Sequence, residues 1–225
     1  CAAAALWKEA RTDLPTSADE WRQMLSNLSD AGDAAWRLIG PVDEPAFLQI
    51  PEVTADDADY KNTAQFADEL TTLYPTKNHS VKRRRLRCGT AWDWCVGLID
   101  LQTMCGFGGK LNYGASRMNG GVSSRAYVSF VVGDDMASRF RGDVRRLLAN
   151  RTRMREINPA LAPAKGLVLT WVRPWDGKTQ IQMNELDPYY IDSARKVRLF
   201  DNAGEIMAAL SNSEIERIAA KHLAG

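Results

Sequence analysis

The chain has 225 residues, 45% hydrophobic and 25% charged, and this length suits one large domain or two small ones with a buried core. This composition excludes an intrinsically disordered chain, and no apolar run reaches the ~20 residues that a membrane-spanning helix needs. The net charge of +1 hides a segregation, because residues 1–76 carry five basic and fourteen acidic residues whereas residues 77–153 carry fifteen and five. A polyanionic partner is therefore expected at the middle of the chain.

Two helices are predicted in the first third. Ser17 and Glu20 have the spacing of a capping box at the start of a helix over residues 17–28. Residues 62–74 predict a second helix, because their apolar residues recur on one face. Between them, residues 41–53 contain three prolines, which indicate an irregular connection in which the sequence FLQI forms a short extended piece.

The middle third predicts helices on both sides of a glycine-rich stretch. Thr90 caps a helix that continues to about Met104, where the glycine-rich stretch begins. A strand is predicted over residues 127–132 and a further helix over residues 134–150. The outer face of that helix carries Arg139, Arg141, Arg145 and Arg146.

The last third predicts short strands. Residues 166–173 read as a strand followed by a turn at 175–177, and residues 197–210 as a hairpin closed by the sequence DNAG. Residues 213–222 fit either a helix or an edge strand. Helices and strands alternate without a βαβ rhythm, so we expect an α+β fold, a mixed and irregular single domain with short, mostly antiparallel strands.

The stretch CGFGGKLNYGASRMNGG, residues 105–121, contains six glycines. Glycine lacks a Cβ, so its backbone approaches a ligand closely, and successive free N–H groups form a concavity that suits a phosphate or an acceptor edge. The interleaved side chains add charge, hydrogen-bonding groups and rings for stacking. They are Lys110, Arg117, Asn112, Asn119, Phe107 and Tyr113. The same composition equally fits an irregular loop whose glycines serve tight turns and whose two aromatic residues anchor it in the core.

A basic run lies between the second and third predicted helices. Five of the six residues from Lys82 to Arg87 are basic, in the sequence KRRRLR. Such a run is suited to contacts with a nucleic-acid backbone, and a solvated surface loop explains it equally well.

Motifs for catalysis are lacking. The sequence GGKL departs from a P-loop, and the GFG sequence lacks the third glycine of a dinucleotide-binding fingerprint. The four cysteines include no CxxC pair and the two histidines are far apart, so neither a metal site nor a nucleophilic triad is expected. The sequence thus predicts a protein that is not an enzyme and that needs no cofactor.

Several segments together resemble the CasA family, the large subunit of the type I-E CRISPR Cascade complex. The specific segments are NHSVKRRRL at 78–86, LQTMCGFGGKLNYGASRMNGG at 101–121, SSRAYVSF at 123–130 and LDPYYIDSARKVRL at 186–199. The sequence FLQ at 47–49 is also similar to a short motif of that family.

The resemblance implies a nucleic-acid-binding subunit of an RNA-guided surveillance complex. Such a subunit recognises the protospacer-adjacent motif in double-stranded target DNA, assists duplex opening and helps recruit a helicase–nuclease. Its partners would be guide RNA, target DNA, the other Cascade subunits and the recruited helicase–nuclease, with no membrane. By the same resemblance, residues 1–225 correspond to an N-terminal domain truncated at both ends and lacking the family's C-terminal helical bundle. A cytoplasmic location is expected.

The resemblance also implies the binding residues. A glycine loop, matched here by Gly106, Phe107, Gly108 and Gly109, approaches the motif from the minor groove, and a lysine finger is matched by Lys221. The minor groove is only ~6 Å wide, so bare backbone enters where side chains clash. The full set expected at DNA adds Lys110, Asn112, Arg117 and Asn119. The set expected at nucleic-acid backbone is Lys77, Asn78, His79, Lys82, Arg83, Arg84 and Arg85.

An alternative function remains open. A stand-alone nucleotide- or phosphate-binding enzyme would use the same glycine-rich loop as a phosphate cradle. Binding of a mononucleotide by the isolated protein distinguishes this alternative from a Cascade subunit, which gains specificity only with its RNA-loaded partners.

Overall fold

The computed structural model describes residues 1–57, 59–60, 62–70, 89–104, 133–161 and 165–219. Its helices and short, mostly antiparallel strands form an irregular α+β fold, which confirms the expected fold class. The described residues group into two compact units, each assembled from segments that are distant in sequence.

The first unit is mainly helical. It contains residues 1–33, 133–161, 165–169 and 182–191 of the described chain. Helices α1 (Ala2–Lys8), α2 (Ala18–Ser26) and α4 (Met136–Ile157) lie here, with the parallel strands β2 (Leu167–Leu169) and β3 (Leu186–Ile191). Its core includes the small residues and Leu6 of α1, Met24 of α2 and Val144 of α4.

The second unit contains the antiparallel sheet and helix α3. Strands β1 (Asn62–Ala64), β5 (Glu205–Leu210) and β4 (Val197–Asn202) form the sheet in that spatial order. Helix α3 (Ala91–Ile99) continues into a π-helical turn at Asp100–Met104. Three tryptophans are fully buried in this unit: Trp94, Trp171 and Trp175.

Both predicted helix caps are present. The Ser17 hydroxyl accepts a hydrogen bond from the backbone N–H of Glu20 at 3.2 Å, and α2 starts at the next residue after Ser17. Thr90 and Asp93 form a reciprocal capping box at the start of α3, in which the Thr90 hydroxyl accepts from the Asp93 N–H and the Asp93 carboxylate accepts from the Thr90 N–H. Each cap satisfies N–H groups that the first helical turn leaves without a partner.

The hairpin is found as predicted. Strands β4 and β5 pair from Val197↔Leu210 to Asn202↔Glu205. The turn between them places Ala203 at φ 56° and Gly204 at φ 87°, the left-handed conformations of a two-residue hairpin turn.

The helix predicted over residues 62–74 is wrong in its described part. Residues 62–64 form β1, which pairs with β5 through Asn62↔Leu210, and a short 3₁₀ helix follows at Ala67–Leu70. The Glu69 carboxylate accepts hydrogen bonds from the backbone N–H groups of Gln65 and Phe66 at 2.7 and 3.1 Å and holds this bend. Pairing with the edge of the hairpin overrides the helical pattern.

Two predicted extended segments also differ, and the sequence leaves a third segment open between a helix and an edge strand. The FLQI sequence turns instead of extending, because Leu48 adopts φ 54° between the bridged residues Ala46 and Gln49. The strand predicted at 166–173 ends at Leu169 and continues as a 3₁₀ helix. Residues 213–222, which fit either a helix or an edge strand, contain no helix in their described part and include the parallel bridge Ile181↔Ile218.

Helix α4 begins close to the predicted start and ends seven residues later than predicted. Of its predicted outer arginines, Arg141, Arg145 and Arg146 are exposed and Arg139 is half-buried. None of the helices in the described ranges combines the length and apolarity needed to cross a membrane.

Candidate nucleic-acid interface

All of the residues predicted to bind nucleic acid lie outside the described residues. The predicted DNA-binding residues are Gly106, Phe107, Gly108, Gly109, Lys110, Asn112, Arg117, Asn119 and Lys221. The predicted backbone-binding residues are Lys77, Asn78, His79, Lys82, Arg83, Arg84 and Arg85. The structure does describe the helix that leads into the glycine-rich stretch, and the residues that fix its end.

Helix α3 is anchored deeply in the second unit. Trp94 and Leu98 are fully buried, and Leu101 in the π-helical turn is 1% exposed. Gly97 permits close packing against the 3₁₀ helix Ala67–Leu70, since a Cβ at this position would lie 3.1 Å from the Ala67 carbonyl oxygen. The chain therefore leaves the described core at Met104 from a fixed base, one residue before the glycine-rich stretch.

Gln102 joins that base to two remote segments. Its side-chain amide nitrogen donates hydrogen bonds to the backbone carbonyls of Leu48 and Arg195, both at 2.9 Å. Its Oε1 accepts a hydrogen bond from the backbone N–H of Arg195 at 3.0 Å. The side chain is 3% exposed, so these bonds are shielded from water.

Gln49 makes a second connection between remote segments. Its side-chain nitrogen donates to the Leu38 carbonyl at 2.7 Å, and its Oε1 accepts from the Leu199 N–H, also at 2.7 Å. Arg198 adds to this connection, because its guanidinium donates to the carbonyls of Gly40 and Glu44, each at 3.1 Å. Burial lowers the pKa of Arg198.

A buried ion pair lies beside these connections. Lys196 Nζ donates to Glu52 Oε2 at 2.9 Å, and the two side chains are 6% and 0% exposed. Burial, followed by the negative charge of Glu52, raises the pKa of the nearby Tyr60 hydroxyl. The basic residues of the sequence ARKVRL are thus buried within the fold instead of forming a basic surface.

Three of the five segments that carry the CasA resemblance meet around Gln102. Leu48 belongs to FLQ, Gln102 to the long glycine-bearing segment and Arg195 to LDPYYIDSARKVRL. Sequence analysis did not identify Gln102 or Gln49 as important. What could have identified them is that each is a glutamine within an otherwise apolar helical or loop segment. Such a position indicates a buried amide with fixed hydrogen-bond partners.

Helix α4 provides the basic surface that the structure does describe. Four exposed arginines lie on it, namely Arg141, Arg145, Arg146 and Arg153. The two acidic residues of the helix, Asp143 and Glu156, are also exposed. The excess of positive charge suits phosphate groups without distinguishing between sequences.

The described residues show no arrangement for metal-dependent chemistry. Within the described ranges, no group of three or more His, Cys, Asp and Glu side chains is positioned to hold a metal ion. Burial raises the pKa of Cys95, so this thiol has less of the thiolate character that a nucleophile needs.

This chain matches no protein-family model, and neither a curated protein nor a solved structure is detectably similar to it. The resemblance to the CasA family therefore rests on the sequence motifs alone.

Proposed function

We propose that this chain belongs to the large subunit of a type I-E CRISPR Cascade complex, the CasA family. In this proposal the chain recognises the protospacer-adjacent motif in duplex DNA through Gly106–Gly109, assists duplex opening, and helps to recruit the helicase–nuclease. It acts as a binding subunit with guide RNA and companion subunits and has no catalytic centre or cofactor of its own.

The observation that carries the proposal is the position of Gln102. This residue lies three positions before the glycine-rich stretch and bonds the main chain of two other segments that resemble the same family. A loop that inserts backbone into a narrow groove must start from a rigid base, because a small displacement moves its N–H groups out of hydrogen-bonding distance of the base edges. The π-helical turn at Asp100–Met104 supports this reading, since such turns are frequent at functional sites.

The segregation of charge gives further support. The segment of highest positive charge includes the basic run, the glycine-rich stretch and most of α4, and a DNA-binding subunit needs positive charge around its reading loop. A protein that binds only a mononucleotide needs far fewer basic residues.

The test replaces Gly109 in the assembled, RNA-loaded complex. Gly109→Leu adds a side chain at the point of closest approach and should abolish discrimination between motif-bearing and motif-free duplexes. That discrimination is typically about 1–3 kcal/mol per base pair. Binding of a single-stranded target complementary to the guide should be unchanged, because this step involves no groove. Gly109→Ala is the matched control, because it tests whether Gly109 is needed for a turn. A loss of stability in both variants would indicate that the backbone at position 109 requires a positive φ.

Two results would contradict the proposal. One is a Gly109→Leu complex that still prefers motif-bearing duplexes as strongly as the parent does. The other is tight binding of a mononucleotide by the isolated chain, combined with purification free of guide RNA and companion subunits, which would favour the phosphate-cradle enzyme.

A further inference from the structure

A groove in the first unit lies between the end of α1 and the middle of α4. Its volume is about 510 Å³. The residues that line it include Trp7, Arg11, Thr12, Asp13, Arg145 and Leu148. This size is within the usual range of ligand-binding clefts, ~300–1,000 Å³.

Trp7 is held in a fixed position while remaining accessible. The residue is 46% exposed, and the Arg151 guanidinium lies 4.9 Å from the centroid of its ring. The same guanidinium lies 4.8 Å from the ring centroid of Tyr189 and donates two parallel hydrogen bonds to Asp187, at 2.9 and 2.5 Å. The ion pair with Asp187 fixes Arg151, and the contact with this fixed cation restricts the Trp7 ring before any ligand binds. Trp7 therefore loses little conformational freedom when a ligand stacks on it.

The charges around the groove favour an anion. Arg11 and Arg145 line it, and the exposed Arg141 precedes Arg145 by one turn of α4. Asp13 lines the groove as well, and Glu9 forms a long ion pair with Arg11 at 3.7 Å. Because the Glu9–Arg11 pair is partly exposed and long, it competes weakly with a phosphate for the arginine.

We propose that this groove binds an unpaired nucleotide of a single-stranded nucleic acid. The base stacks on Trp7 beside Leu148, and the flanking phosphates pair with Arg11 and Arg145. An accessible, fixed aromatic ring next to arginines is the combination by which proteins bind single strands, whereas the base faces of a duplex are already stacked. The proposal uses none of the residues of the glycine-rich stretch, and it does not depend on the function proposed above.

The experiment measures binding of fluorescein-labelled oligothymidylate to the whole chain by fluorescence anisotropy. Trp7→Ala should weaken binding roughly 5- to 150-fold, the effect of losing one stacked base, and Trp7→Phe should restore most of the affinity. Trp92→Ala is the matched control, because Trp92 is an exposed tryptophan on α3 in the other unit, and it should leave the affinity unchanged. Arg145→Gln should weaken binding and reduce its dependence on salt. Oligouridylate, measured in parallel, identifies whether DNA or RNA is the tighter ligand.

A strand of abasic sites separates stacking from charge. The parent protein should bind oligothymidylate more tightly than an abasic strand of the same length, and Trp7→Ala should bind both equally. Equal binding of the two strands by the parent overturns the proposal even if Trp7→Ala fails to fold, whereas tighter binding of oligothymidylate supports this groove only when Trp7→Ala removes the difference. Equal binding of the two strands by the parent, or an equal loss on both strands in Trp7→Ala, would overturn the proposal.

Discussion

Several buried polar side chains of the second unit bond to main-chain carbonyls. Gln49, Gln102 and Arg198 do so. The fully buried Arg217 does so as well, and its guanidinium donates to the carbonyls of Ser193, Thr170 and Arg173 at 3.1, 2.7 and 2.5 Å. Burial lowers the pKa of Arg217 to about 9, so the side chain remains a cation at neutral pH. Irregular segments leave carbonyls that no ladder satisfies, and these side chains supply the missing donors.

Gln102→Leu should strongly destabilise the protein. The substitution leaves the carbonyls of Leu48 and Arg195 and the N–H of Arg195 without their partner in a buried site. Each buried group left without a partner costs about 1–3 kcal/mol, so we expect a loss of at least ~3 kcal/mol in the free energy of unfolding, measured by urea denaturation.

Thr103→Ala provides the neighbouring control. The Thr103 hydroxyl donates to the carbonyl of Ile99 one turn back in the same helix, so Thr103→Ala should destabilise the protein less than the loss of the three buried bonds of Gln102 does. If Gln102→Leu were no more destabilising than Thr103→Ala, the buried hydrogen bonds of Gln102 would not be what stabilises this part of the fold.

The capping box of α3 should make stability depend on pH in acid. Hydrogen bonds from the Thr90 hydroxyl and then from its backbone N–H hold the pKa of Asp93 below its ordinary value near 3.8. The folded state therefore binds this proton less readily than the unfolded chain does. The stabilisation is complete above that ordinary value and is lost as the pH falls through the folded-state pKa.

The measurement compares the parent protein with Asp93→Asn by thermal unfolding across pH 3–7. The parent should be the more stable protein at neutral pH, and the difference should shrink as the pH falls below about 4. Thr90→Ser retains both hydrogen-bond donors and should behave as the parent does. A difference that stays constant across this range would show that Asp93 stabilises the helix without its charge.

Among the elements, those specified by local chemistry could be predicted and those specified by distant partners could not. The caps at Ser17 and Thr90 and the turn at Gly204 depend on residues within a few positions, and the structure has all three. Strand β1 depends on an exposed edge of β5, nearly 150 residues later in sequence, and its sequence shows a helical pattern instead. The sequence pattern shows only which residues are apolar. The conformation of this segment is decided by the edge of β5, which offers it hydrogen-bond partners.

The candidate site divides in a similar way. Glycines and basic residues identify a loop suited to nucleic acid, because their chemistry is visible one residue at a time. The residues that fix the base of that loop could not be predicted, because the role of Gln102 depends on hydrogen bonds to Leu48 and Arg195, which are distant in sequence. Likewise, the Arg-rich sequence of α4 did not reveal that Arg151 is buried against Asp187 while Arg145 is exposed.

The basic run should act through charge and not through base identity. Replacing Arg83, Arg84 and Arg85 with Gln should weaken binding to motif-bearing and motif-free duplexes alike. Each lost phosphate contact removes roughly 0.9 from the slope of log affinity against log salt on duplex DNA.

Arg22→Gln is the control for this titration. Arg22 is exposed but already paired with Asp33 at 2.5 Å, so its loss should leave the slope unchanged. An unchanged slope in the triple variant would identify the basic run as a solvated loop. The same titration on guide RNA shows which nucleic acid the run contacts.

At the scale of the whole molecule, each unit contains its own buried ion pair. Arg151 and Asp187 pair within the first unit, with side chains 4% and 8% exposed. Lys196 and Glu52 pair within the second. Removing one partner of a buried pair leaves an uncompensated charge and typically costs about 3–5 kcal/mol. The two pairs therefore serve as matched probes of whether the units unfold separately.

Hydrogen exchange should locate each loss of stability in one unit. Asp187→Asn should increase exchange of the amides of α4 and leave those of β4 and β5 protected, because the hydrogen bonds of Asp187 to Arg151 and Tyr189 lie within the first unit. Glu52→Gln should have the reverse effect, exposing β4 and β5 while α4 stays protected. Local opening of this kind is expected when the contacts that a substitution removes are confined to one cooperative unit. If either substitution increased exchange equally in α4 and in the hairpin, the chain would unfold as one cooperative body. The two units would then differ in their packing but not in their unfolding.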